Sequence, residues 1–82
     1  MGRHRKFERL DGKGMTEEWD DDNGQVLAYL DRYHNSPMVS VTVFKPENGK
    51  SVHYAAREFG KGQAIVERHI ATQAYTPDPE DD

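Results

Sequence analysis

Met38-Val39-Ser40-Val41-Thr42-Val43-Phe44-Lys45, then Pro46-Glu47-Asn48-Gly49, then Ser51-Val52-His53-Tyr54-Ala55-Ala56-Arg57: this stretch decides the fold. In its first part apolar and small polar residues alternate strictly, so Val39, Val41 and Val43 share one face of a strand. Pro46 sets one φ early in the connection, and Asn48-Gly49 tolerates positive φ late in it. With Lys45 closing the loop against Lys50, Val43 faces Val52, Val41 faces Tyr54 and Val39 faces Ala56. The opposite side then carries Phe44, Thr42, Ser40 and Met38 across from Ser51, His53, Ala55 and Arg57. A slip of one residue would mix the faces, so pattern and turn select the same register.

Downstream, Phe59-Gly60-Lys61-Gly62 reads as a break and a flexible connector. Ile65/Val66, His69/Ile70 and Gln73/Ala74 then recur at helical spacing, and Thr76-Pro77 is a stop because the residue before proline avoids the helical region. A C-terminal helix over about 62–75 is expected to lay Val66 and Ile70 on the valine face. Upstream, residues 25–33 fit two patterns. Val26, Tyr29/Leu30 and Tyr33 recur at helical spacing behind a cap at Asp22 or Asn23, while Val26, Ala28 and Leu30 fit one face of a strand that follows an Asn23-Gly24 turn. Either way the expected class is α+β. A small antiparallel sheet, the hairpin 38–45/51–58, extended by 25–33 in the second case, is covered on one face by the helix.

Only 34% of the 82 residues are hydrophobic and 32% are charged, which allows one domain, placed at 9–76. Residues 1–8 read as a mobile basic arm, and the proline-and-acid tail 77–82 as disordered. So small a core predicts either weak stability alone or added burial from a partner or a second copy, hence a homodimer. With no cysteine there is no disulfide framework, thiolate metal site or cysteine nucleophile. No apolar run is long enough to cross a membrane, and the basic amino terminus lacks the apolar stretch of a secretory signal, so the expected location is the cytoplasm.

Catalytic and metal chemistry find no support in the residues. His4, His34, His53 and His69 share no i, i+4 spacing, so no metal site is predicted. Asp20, Asp22 and Gly24 meet only part of a calcium-loop pattern, with no glutamate at the twelfth position. Gly60-Lys61-Gly62 lacks the remainder of a phosphate-binding loop. The expectation is a non-enzymatic protein without a cofactor.

Two surfaces suggest binding. Glu17-Glu18-Trp19-Asp20-Asp21-Asp22 sets one indole among five carboxylates, which suits docking to a larger basic or nucleic-acid-handling protein. Phe44, His53 and Arg57 on the outer hairpin face extend that partner-binding surface. A small regulatory or inhibitory protein of the accessory or phage type is therefore the leading expectation. The alternative is a nucleic-acid-binding module that uses Arg3, Arg5, Lys6 and Arg9 with the open sheet face. A basic arm next to an acidic segment can also fold back on it, which would occupy both.

Overall fold

The computed structural model describes residues 2–45 and 47–73. Five strands follow one another as a meander: β1 (Arg3–Glu8), β2 (Gly14–Asp20), β3 (Val26–Tyr33), β4 (Val39–Lys45) and β5 (Lys50–Ala56). A single helix, α1 (Phe59–Ile70), ends the described chain. Spatial order matches chain order and every adjacent pair is antiparallel.

The β4–β5 hairpin has the register its alternation predicts, with Val43 opposite Val52, Val41 opposite Tyr54 and Val39 opposite Ala56. Val39, Val41 and Val43 are buried beneath α1 together with Val66, Ala28 and Leu30, while Phe59, Ile65 and Ile70 pack around them. Contacts of α1 reach β3, β4 and β5 and stop there. One face of the sheet thus carries the apolar core, and the other carries no covering element among the described residues.

The helix begins earlier than its periodicity suggests. Phe59-Gly60-Lys61-Gly62 is its first turn rather than a connector, and α1 ends at Ile70 instead of near residue 75. Gly62 explains the difference. A β-carbon there would stand 2.5 Å from a methyl of Val39 and 3.3 Å from a methyl of Val41, so glycine lets the helix lie directly on the valine stripe. Burial at that point outweighs the poor helix propensity of glycine, roughly 1 kcal/mol. At the other end, His69 Nε2 donates to the Phe44 carbonyl at 2.7 Å and ties the last turn to β4.

Residues 25–33 are strand, not helix. Trp19 pairs with Ala28 and Asp20 with Val26, which leaves Leu27 as an extra residue in a bulge. Leu27 and Ala28 are consequently buried in succession. That break in strict alternation is what imitates helical spacing in the sequence.

A larger correction concerns the first twenty residues. The expected mobile arm forms β1, and residues 17–20 of the acidic run read as a docking surface lie in β2. Gly14 starts β2 where its backbone passes against β3, since a β-carbon would fall 1.7 Å from the Arg32 carbonyl oxygen. The tail 77–82 lies outside the described residues.

The two helical glycines separate packing from propensity. Gly62→Ala is expected to lower unfolding stability by about 1–3 kcal/mol through overpacking on Val39. Gly60→Ala, which meets nothing within 4 Å, is expected to be neutral or to gain up to about 1 kcal/mol. Urea titrations of the two variants against the parent check both signs.

Candidate functional site

The acidic segment and the basic arm meet each other. In register, Arg3 lies opposite Asp20, Arg5 opposite Glu18, and Lys6 opposite Glu17. The Arg5 guanidinium donates to Glu18 and stands 3.5 Å from Asp20, while Lys6 Nζ is 3.9 Å from Glu17. On the helix-bearing side His4 stacks on Trp19 at 4.4 Å between ring centres, and its Nε2 is 2.9 Å from Glu17. Glu17, Glu18, Trp19, Asp20 and Asp21 are all buried, and of the six candidate partner-binding residues in this segment only Asp22 is exposed. Trp19 belongs to the core cluster, beside the small Ala28 that leaves room for its indole. Asp21 supports the next turn, its Oδ1 accepting from the backbone N–H groups of Asn23 and Gln25, both at 2.8 Å.

Internal matching also engages the basic candidates. Arg9 donates to Asp11, lies 2.9 Å from Asp31 and sits over the Tyr33 ring at 4.7 Å. Its hydrogen bonds to Asp11 hold that carboxyl down at about 2, with the backbone N–H of Lys13 adding to the effect. A nucleic-acid arm needs unmatched cations, and in β1 nearly every cation faces a carboxylate.

On the helix-free face Glu18 and Asp20 form a carboxyl pair beside Arg5 and Tyr29. Burial alone would raise Glu18, but hydrogen bonds from Arg5, Asp20 and Tyr29 outweigh it and hold the carboxyl below its ordinary value. For Asp20 burial comes first and the adjoining Glu18 adds to it, so this group is pushed up. Burial, with the charge of Glu18, likewise raises the Tyr29 phenol. Glu18 therefore keeps the charge, and Asp20 is the member that takes a proton more readily. Among the described residues Asp20 Oδ1 is buried with no hydrogen-bond partner.

Farther along the same face, over β4 and β5, the ionic network ends. Phe44 packs edge-on against Tyr29 at 5.7 Å, and Thr42 meets His53 Nδ1 at 3.1 Å. Ser51, His53 and Ala55 are exposed there, with Arg57 exposed just beyond the strand. Phe44, His53 and Arg57, together with Asp22, are thus the partner-binding candidates that the fold leaves at a surface.

Strand β2 carried a signal that polarity concealed. Residue numbers of opposite charge add to a constant across Asp11-Gly12, a hairpin dipeptide, pairing 3 with 20, 5 with 18 and 6 with 17. The described residues hold no cluster of three or more histidine, aspartate or glutamate side chains suited to a metal ion. Comparison with protein-family models, curated proteins and solved structures finds no match for this chain.

The two carboxyls should respond oppositely to neutralisation. Glu18→Gln is expected to destabilise by about 1–3 kcal/mol at pH 7, because Arg5 and Tyr29 lose a charged acceptor. Since its folded value is lowered, the loss shrinks as pH falls from 4.5 through that value. Asp20→Asn is expected to stabilise at pH 7, since the raised folded value makes the ionised form costly. That gain fades as pH falls through the raised folded value and is gone below 3.8, where Asp20 is protonated in both states. Thermal denaturation of both variants between pH 3 and 7 reads the two trends.

Proposed function

We propose that this is a small, non-enzymatic regulatory or inhibitory protein that docks on a larger protein through the helix-free face of its sheet, at β4 and β5. The observation that supports this most is the one-sided cover: α1 takes the core face, and among the described residues no element lies over Phe44, Thr42 and His53 on the opposite face. That area is low in charge and built around the Tyr29–Phe44 aromatic pair, with Arg57 exposed just beyond β5. Aromatic anchors inside a polar rim are what a protein interface uses. The carboxylates that suggested a basic or nucleic-acid-handling partner are matched inside the protein, so the proposal rests on the sheet face. The exposed Arg57 at its border favours a partner with an acidic group beside an apolar centre.

Immobilised protein and its Phe44→Ala/His53→Ala variant, challenged with the same host extract, give the direct comparison. The expected result is a partner band retained by the parent and reduced at least about tenfold by the variant, given hot-spot costs of roughly 1.4 kcal/mol or more. Circular dichroism must show both folded. Equal recovery would remove this face from the interface. Titration with single- and double-stranded oligonucleotides at low salt, where phosphate contacts are strongest, is expected to show no saturable binding.

A further inference from the structure

The two edges of the sheet are built differently. β1 presents Arg3, Arg5 and Lys6, all exposed, and charge along an edge is a standard guard against strand pairing. β5 is the opposite edge, paired among the described residues with β4 alone, and its residues 51–56 carry no acid, lysine or arginine. Tyr54 stands on the helix-bearing side, opposite buried Val41, yet is 42% exposed, with no strand beyond it among the described residues. Past Ala56 the chain bends at Arg57 and Glu58 toward the helix, with Glu58 itself extended at φ −139° and ψ 147°.

We infer that β5 pairs antiparallel with β5 of a second copy, centred on Tyr54, to give a two-fold dimer with one ten-stranded sheet. The sequence around Tyr54 is self-complementary in this register. Lys50 falls opposite Glu58 of the other copy, Ser51 opposite Arg57, Val52 opposite Ala56, His53 opposite Ala55, and Tyr54 opposite itself. Opposite charges therefore meet at both ends, and the centre holds only apolar or neutral side chains. Within one copy Lys50 faces Lys45, a like-charge pair, and neither Lys50 nor Glu58 makes an ion pair among the described residues. A second copy supplies the acid that Lys50 lacks.

Pairing at β5 closes after two copies. The edges left over are the two β1 strands, whose bases would oppose bases if the sheet tried to grow. A two-fold axis normal to the sheet puts both helices on one side with the Tyr54 pair between them. Both helix-free faces then lie together on the other side. The inference stands apart from the proposed partner, since it concerns the edge of the sheet rather than its face.

Sedimentation of the purified full chain across concentration tests the dimer, with a charge-swap series setting the register. Lys50→Glu and Glu58→Lys are each expected to weaken self-association roughly tenfold, since each inverts two symmetry-related pairs. The double swap is expected to return it to within about threefold of the parent. Lys50→Glu faces Lys45, so it does not endanger the fold.

The chain has no cysteine, so a single introduced thiol reports position cleanly. Tyr54→Cys is expected to form a disulfide-linked dimer under mild oxidant, because facing strand residues lie within disulfide reach. His53→Cys alone is not, although it should cross-link to an Ala55→Cys copy. A monomer at every concentration up to about 1 mM, far above ordinary specific contacts, would overturn the inference. So would single charge swaps without effect, or cross-linking of His53→Cys in place of Tyr54→Cys.

Discussion

The contact on which the rest depends is the one between α1 and the valine stripe of β4. Val39, Val41 and Val43 project from one side of a single strand, Val66 packs among them, and Gly62 lets the helix backbone meet the valine methyl groups directly. Burial of this kind is the main favourable term available to so polar a chain, whose mean hydropathy is −1.01. Everything central to the sheet follows from it: β3 and β5 are held on either side of β4 by ladders, and each lends its inward residues to the same patch. The helix covers three strands, and the apolar material ends where it does.

Beyond that limit the sheet continues by other means. β1 and β2 lie outside the reach of α1, and their cohesion comes from backbone ladders together with a row of matched charges. Ion pairs between an exposed base and a buried carboxylate are a weak source of net stability, because solvent screens one partner and desolvation of the other offsets much of the attraction. They are a strong source of register, since any slip would set Arg5 or Glu18 against the wrong neighbour. Trp19 is the hinge between the two regimes. One face of its indole meets the His4 ring, and its bulk belongs to the core that α1 closes. The carboxylates that look like a docking patch on paper serve instead to fix two strands.

How far this was legible follows from which force set each element. The hairpin was readable to the residue, because Val39, Val41 and Val43 alternate with small polar residues and the turn chemistry agrees. The helix was readable in kind but not in its start, since two glycines argue against helix locally and only the sheet beneath shows why Gly62 is required. β3 stayed ambiguous because the bulge at Leu27 buries two neighbours in a row. β2 was hidden altogether: period-two reasoning looks for apolar alternation, and Thr16, Glu17, Glu18 and Asp20 are buried as polar groups. Of the candidate site, Phe44, His53 and Arg57 stand at a surface because they lie on the readable hairpin. The burial of the acidic candidates was not readable because composition does not reveal which charges already have partners.

The stacking of His4 on the only tryptophan has a spectroscopic corollary. Intrinsic indole emission belongs to the seam between the salt-matched outer strands and the apolar centre. It reports first on whether β1 is in place, and only secondarily on the helix. An optical melting curve and an amide-exchange profile of this protein would accordingly describe different parts of the same molecule, and coincidence between them would mean that the outer strands and the core come apart as one unit.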